Sequence, residues 1–84
     1  MKSIRLTAHA REQCAERGAS DAEVREAIEH GVREPAKRGR VMYRLNLSYH
    51  AFWQGKFYAV KQVAPVVAEA QNEIVVVTVY TFYF

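Results

Sequence analysis

The spacing of apolar residues changes once along the chain, near residue 40. Before this point apolar residues recur every three or four positions, which is the spacing of one face of a helix. Beyond it they alternate with polar residues and are mostly branched or aromatic, as is typical of strands. Helices followed by neighbouring strands favour the α+β class, in which helices cover one face of an antiparallel sheet.

Two short helices are predicted in the first third of the chain. The first is expected over about residues 8–17, with Thr7 as its N-cap and a glycine just past its end. The second is expected to open at Ser20, because its spacing from Glu23 is that of a capping box. Gly31 is expected to close the second helix.

The rest of the chain predicts consecutive strands joined by short turns. The first strand is expected over about residues 40–52, the second over about 57–64 and the last over 74–83. Pro65 has no backbone N–H and marks an edge, a bulge or a break, and residues 32–39 are expected to cross from helices to sheet. The sequence therefore predicts an α+β fold, with two N-terminal helices packed on one face of a twisted antiparallel β-meander of roughly three to four strands.

The last strand carries two further expectations. Because residues 74–77 are apolar at every position, this strand is expected to be central and covered on both faces. Tyr80 and Thr78 share the parity of Val76, opposite that of the intervening valines. If those valines pack on the helices, Tyr80 points to the open face of the sheet beside Arg44.

Length and composition limit the class of protein. With 84 residues, the chain is near the lower end of what one hydrophobic core can hold, so one domain over residues 1–84 is expected. No apolar stretch is long enough to span a bilayer, and the first residues lack the apolar core of a signal peptide. We expect a cytoplasmic protein without membrane contact. Cys14 is the single cysteine, which excludes an internal disulfide and argues against a thiolate zinc site, so neither metal nor cofactor is expected.

Positive charge is concentrated in the middle of the chain. The net charge is only +3, but residues 35–68 contain six basic and no acidic side chains. These are Lys37, Arg38, Arg40, Arg44, Lys56 and Lys61. Such a separation favours an anionic partner, RNA or DNA before a membrane, while a solvated loop without a binding role stays open as the alternative.

Several short motifs follow a pattern known from one bacterial family. They are HAREQ at residues 9–13 followed by Arg17-Gly18, a capped second helix ending in glycine, RVMYR at residues 40–44, and VVTVY at residues 76–80. Together they resemble the small bacterial domain-of-unknown-function family 4258 over nearly the whole chain. Members of that family look like relatives of the barnase, EndoU, colicin and RelE-type ribonuclease fold, in which helices precede a curved antiparallel sheet that carries the active site.

This resemblance implies a metal-independent ribonuclease, a RelE-like toxin or effector that cleaves RNA by acid–base catalysis. By motif position it carries over His9, Arg17, Arg44, Thr78 and Tyr80. Metal-free cleavage needs a base, an acid and cations that stabilise the charged phosphorane, and histidine and arginine suit these tasks. We therefore expect His9, Arg44 and Tyr80 to be catalytic, and Arg17 and Thr78 to bind substrate.

Lys61 and His50 complete the predicted site as further substrate-binding residues that could supply charge or move a proton. Arg44 is expected to share the polar face of the first strand with His50. The candidates also have purely structural interpretations. In these, His9 would bond a nearby backbone group, Arg17 the last carbonyls of its own helix, and Arg44 a surface carboxylate.

Three functions remain open at this point. The chain could cleave RNA, it could bind RNA or DNA without catalysis through residues 35–68, or it could be a protein-interaction module. The third would pair a free strand edge or residues 82–84 with an antitoxin, an immunity protein or a second copy in a homodimer. Two departures from the family pattern, at Gln13, where relatives often have arginine, and at the aromatic residues 82–84, concern activity rather than fold.

Overall fold

Five strands and two α-helices make up residues 2–84, the part of the chain that the computed structural model describes. The elements are β1 (Ser3–Leu6), α1 (Ala8–Arg17), α2 (Asp21–His30), β2 (Val32–Pro35), β3 (Val41–Trp53), β4 (Lys56–Glu69) and β5 (Glu73–Tyr83), with a 3-10 turn at Lys37–Gly39. The strands form one sheet in the order β1-β5-β4-β3-β2, in which only the β1–β5 pair is parallel. The α+β class is confirmed.

Both helices begin and end where their capping residues predict. The Thr7 hydroxyl accepts a hydrogen bond from the Ala10 N–H at 3.1 Å, and Gly18 ends α1 in the left-handed conformation with φ 76°. Ser20 and Glu23 form the predicted capping box, with side chain to backbone distances of 3.0 and 2.9 Å. These contacts are local in sequence, and each such cap stabilises a helix by about 1 kcal/mol.

The predicted number of strands was too low because two short edge strands escaped detection. β1 precedes α1 and pairs in parallel with the first residues of β5, with Leu6 opposite Val76. β2 lies within the segment 32–39, which was predicted to be a crossing, and pairs with the start of β3. Each has four residues, too few for an alternating pattern to stand out, so both strands depend on tertiary pairing.

β4 continues through Pro65, where the sequence predicted an edge, a bulge or a break. The strand runs to Glu69, and Pro65 is fully buried in the middle of it, opposite Val79 of β5. On the side that faces β3, Val63 and Val66 of β4 are paired with β3 residues, and the two residues between them are not. A local gap in the ladder therefore accommodates the missing N–H in an interior strand.

A bulge in β5 overturns part of the parity prediction. The pairing with β4 shifts by one residue at Val77, so that Val76 turns to the helices and is fully buried beside Val79 in the core. Thr78 and Tyr80 face the other side of the sheet, as predicted. Val76 was predicted to share that side with them and does not. The strand is central, but Val77 is only partly buried because no helix covers that side.

The core lies between the two helices and one face of the sheet. Its buried members are Leu6, Ala10, Cys14, Val24, Ala27, Ile28, Val41, Tyr43, Val63, Val67, Val76 and Val79. The other side of the sheet, here called the open face, has no α-helix over it within residues 2–84 and carries Met42, Arg44, Gln62, Thr78, Tyr80 and Phe82. Neither described helix has the length and apolar character needed to cross a bilayer.

Candidate functional site

A groove of about 540 Å³ lies on the open face beneath the 3-10 turn. Its floor consists of side chains from the three central strands: Met42, Val66, Thr78, Tyr80 and Phe82. Its wall consists of residues 34–38 together with Arg40. This volume is within the range of about 300–1,000 Å³ that is usual for small-ligand sites. We call this feature the open-face groove.

The wall of the groove is a tight turn with two successive left-handed residues, Arg38 with φ 61° and Gly39 with φ 71°. Two backbone hydrogen bonds close the turn, from Ala36 N–H to the Arg40 carbonyl at 2.8 Å and from Arg40 N–H to the Lys37 carbonyl at 3.2 Å. The left-handed conformation costs a non-glycine residue such as Arg38 roughly 1–2 kcal/mol. The backbone is therefore strained in the turn that carries the basic residues of the groove wall.

The cations of the groove wall differ from most of the others in having no ion-pair partner. Within residues 2–84, no carboxylate lies within 4.0 Å of Lys37, Arg38 or Arg40. Carboxylates pair with Arg5, Arg11, Arg25, Arg33, Arg44 and Lys61. Unpaired cations along a concave wall leave a positive potential, so the groove is suited to an anion.

Two aromatic rings on the floor of the groove are flanked by two arginines that lie outside its lining. The guanidinium carbon of Arg17 lies 5.2 Å from the centre of the Tyr80 ring, and that of Arg44 lies 5.6 Å from the centre of the Phe82 ring. The two rings are 6.4 Å apart with an interplanar angle of 19°. Tyr80 and Phe82 remain 39% and 42% exposed. We call these four residues the cation–aromatic row.

Arg44 joins the row to the edge of the groove. Its Nε donates to Glu34 Oε1 at 2.7 Å and its Nη1 donates to Gln62 Oε1 at 2.9 Å. Gln62 in turn donates to Asn46 Oδ1 at 2.8 Å. The ion pair predicted as the structural interpretation of Arg44 is therefore present. Because Glu34 and Phe82 both line the groove, the same contacts hold the guanidinium beside it.

Arg17 holds the edge of β5 and does not bond the last carbonyls of its own helix. Its Nη1 donates to the Val79 carbonyl at 2.7 Å. One helical turn earlier, Gln13 Oε1 accepts from the Val79 N–H at 2.8 Å. The backbone N–H and carbonyl of Val79 lie beyond the end of β1. Side chains of α1 thus form hydrogen bonds with both groups. These bonds fix Arg17 at one end of the cation–aromatic row.

Lys61 lies on the helix side of the sheet and is only 6% exposed. Its Nζ donates to the Gly18 carbonyl and to Glu23, both at 2.9 Å, and lies 5.3 Å from the centre of the Tyr49 ring. These contacts tie the turn between the helices to the sheet. Lys61 is therefore separated from the open-face groove by the sheet itself.

The two predicted histidines also lie away from the groove. His9 is exposed in the first turn of α1, which packs on the side of the sheet opposite Arg44. His50 is exposed on β3, next to a bulge, with its ring centre 6.4 Å from that of Phe57. The structure thus brings Thr78 and Tyr80 to the groove, places Arg44 and Arg17 at its border, and does not bring His9 to it.

The arrangement of these residues can be compared with known proteins. Residues 6–81 match a family model described as a domain of unknown function, DUF4258. The chain belongs to this family. No curated protein and no solved structure matches the chain. The likeness to the barnase, EndoU, colicin and RelE-type ribonuclease fold therefore stays a prediction.

Two residues of the groove in this DUF4258 domain were missed by sequence reasoning. Phe82 was grouped with the terminal aromatic residues as an interaction segment, although it has the parity of Tyr80, which was a usable signal. Glu34 lies in β2, which the sequence did not reveal, and its place beside Arg44 follows only from pairing of β2 with β3. The sequence predicts Lys37 and Arg38 only as part of the crossing from helices to sheet and Arg40 as the start of a strand, and their place along the groove follows from the fold.

Proposed function

We propose that this DUF4258 domain binds RNA in its open-face groove. The observation that supports the proposal is that three unpaired cations, Lys37, Arg38 and Arg40, line the same groove as two exposed aromatic rings. A ligand that satisfies both must be anionic and must carry flat aromatic groups. Nucleic acid combines these properties in one repeating unit.

The electrostatic part of the proposal sets a measurable salt dependence. Contacts with single-stranded nucleic acid release about 0.7 counterions for each phosphate that a cation neutralises. Three cations therefore give a slope of about −2 in a plot of log K against log salt concentration. A slope near zero would mean that the groove cations do not contact phosphates.

The test of binding is a comparison of two lysines. Lys37 and Lys56 are both exposed and unpaired within residues 2–84, but only Lys37 lines the groove. In a fluorescence anisotropy titration with a labelled RNA decamer, Lys37→Ala is expected to weaken binding about three- to tenfold. Lys56→Ala is expected to leave it unchanged. Equal effects of the two substitutions would contradict the proposal.

Metal-independent cleavage of RNA is a second candidate, favoured by the contact between Arg44 and Glu34. In this mechanism the Glu34 carboxylate takes the 2′-hydroxyl proton as the 2′-oxygen attacks phosphorus. Arg44 stabilises the negative charge of the phosphorane, and the Tyr80 hydroxyl protonates the departing 5′-oxygen. The products are a 2′,3′-cyclic phosphate and a 5′-hydroxyl end.

Cleavage is tested by incubating end-labelled RNA with the domain in the presence of EDTA. The mechanism predicts that Arg44→Ala and Tyr80→Phe each abolish product formation while RNA is still bound. His9→Ala, the matched control on the other side of the sheet, is expected to keep full activity. If cleavage is lost in His9→Ala and retained in Arg44→Ala, the open-face groove is excluded as the catalytic site. Growth arrest on expression, relieved by Arg44→Ala, is expected if the domain acts as a toxin.

A further inference from the structure

The two rings of the cation–aromatic row stay partly exposed, although each packs against a guanidinium group and against the other ring. Tyr80 and Phe82 lie two residues apart on β5, and their rings are within 19° of parallel. Arg17 and Arg44 lie against these rings from opposite ends of the row, yet both rings stay about two-fifths exposed. The exposed part of these rings is apolar surface that a ligand can cover. A planar aromatic group of a ligand would complete their packing.

We infer that the groove selects single-stranded RNA, with a base stacked on Tyr80 and Phe82 and the adjoining phosphates held by the turn at residues 37–40. This inference rests on the proposed function and narrows its substrate class. In a duplex, the faces of the bases are covered by their neighbours and cannot reach the rings. In a single strand every base offers a free face, whatever its identity.

The size of the groove agrees with this substrate. A volume of about 540 Å³ is large enough for a group the size of a nucleotide. Duplex RNA is bound mainly through backbone contacts spread across successive grooves. The unpaired cations Lys37, Arg38 and Arg40 are instead confined to one short turn, which suits a local stretch of backbone.

A protein partner fits the same surface less well. Apolar side chains docking on Tyr80 and Phe82 would take the guanidinium groups of Arg17 and Arg44 out of water, together with the unpaired cations of the wall. Burying unpaired charge is strongly unfavourable unless new anionic partners are supplied. A base and its phosphate supply the stacking group and the anion together.

The test compares a fluorescein-labelled oligoadenylate decamer with a fluorescein-labelled, GC-rich decamer duplex that stays base-paired at room temperature, in anisotropy titrations of the full chain. The single strand is expected to bind at least about tenfold more tightly than the duplex. Tyr80→Leu and Phe82→Leu remove the ring faces and keep apolar bulk, so each is expected to weaken binding of the single strand about five- to hundredfold. Phe57→Leu, an exposed phenylalanine outside the groove, is the matched control and is expected to have no effect.

The outcomes separate this inference from the proposed function. Stacking is excluded if duplex and single strand bind equally, or if the Tyr80 and Phe82 variants behave like Phe57→Leu. In either case, binding that is weakened by Lys37→Ala still supports an RNA site. If neither RNA binds, both proposals fail. Phe82→Tyr, which keeps a ring at the position, is expected to retain affinity, and its loss of affinity would also overturn the inference.

Discussion

At the scale of single residues, the turn between the helices depends on one glycine. Gly18 has φ 76°, a conformation that disfavours any residue with a Cβ atom. A Cβ at this position would also lie 2.6 Å from the Tyr83 hydroxyl and 2.7 Å from the Trp53 ring. Both backbone and packing therefore require glycine. Gly55 provides the comparison, because its φ is 83° but a Cβ added there would have no atom within 4 Å.

Gly18→Ala is predicted to lower the free energy of unfolding by about 2–4 kcal/mol, since backbone strain and overpacking add together. Gly55→Ala carries the backbone strain alone and should cost about 1–2 kcal/mol. Urea unfolding followed by circular dichroism measures both values. Equal losses in the two variants would show that Trp53 and Tyr83 do not confine Gly18.

The pH dependence of stability gives a second prediction at the residue scale. Burial raises the pKa of the Tyr83 phenol above its ordinary value of 10.0. The hydroxyl also donates to the Arg17 carbonyl at 2.7 Å, a bond that ionisation would break. Because the folded state holds this proton more tightly than the unfolded state, Tyr83 contributes stability below the unfolded pKa. That contribution is lost as the pH rises through the folded value.

As the pH rises above about 10, the free energy of unfolding should therefore fall more steeply in the unmodified domain than in Tyr83→Phe. The difference is measured by urea unfolding at a series of pH values. The phenylalanine variant keeps the ring that stacks on Trp53, so the comparison isolates the hydroxyl. Parallel pH profiles would mean that Tyr83 ionises as freely in the folded state as in the unfolded state.

At the scale of elements, α1 takes the place of a missing strand along β5. β1 pairs with β5 only as far as Val76, and beyond that point Gln13 and Arg17 bond the N–H and carbonyl of Val79. Side chains one helical turn apart thus satisfy a strand edge that would otherwise lose its hydrogen bonds. Arg17 continues into the cation–aromatic row, so the same contact positions the groove.

Gln13→Leu keeps the approximate volume of the side chain and leaves the Val79 N–H without a partner in a buried position. We expect it to lower the free energy of unfolding by about 1–3 kcal/mol and to speed hydrogen exchange at Val79. Gln71→Leu changes an exposed glutamine in the turn before β5 and should be nearly neutral. An unchanged exchange rate at Val79 in Gln13→Leu would contradict the role given to α1.

The elements that the sequence predicted correctly are those that depend on local contacts or show a local pattern. The helices were correctly bounded because their caps, such as Ser20 with Glu23, are contacts between near neighbours in sequence. β1 and β2, the passage of β4 through Pro65 and the bulge at Val77 depend on which strand lies alongside, which no local pattern specifies. Arg44, Thr78 and Tyr80 were correctly grouped because strand parity placed them on one face. His9 was not, since the side of the sheet taken by α1 follows from tertiary packing.

At the scale of the whole molecule, the two sides of the sheet have different tasks. The helices bury one side and supply the core, and buried or paired charges such as Lys61 with Glu23 hold that side together. The open face has no α-helix over it within residues 2–84, and its exposed rings lie beside the unpaired cations of the 3-10 turn. We propose that this face is a binding surface, because exposed apolar side chains there lie next to unpaired positive charge. RNA is the ligand that we propose for it.

The most direct test of RNA binding on the open face is a ¹H–¹⁵N NMR titration of the domain with the oligoadenylate decamer. Amide shifts are predicted to move at residues 37–40 and at Thr78, Tyr80 and Phe82. Amides of α1 around His9, on the opposite side of the sheet, should stay in place. Shifts that cluster around His9 and spare the open-face groove would contradict RNA binding there.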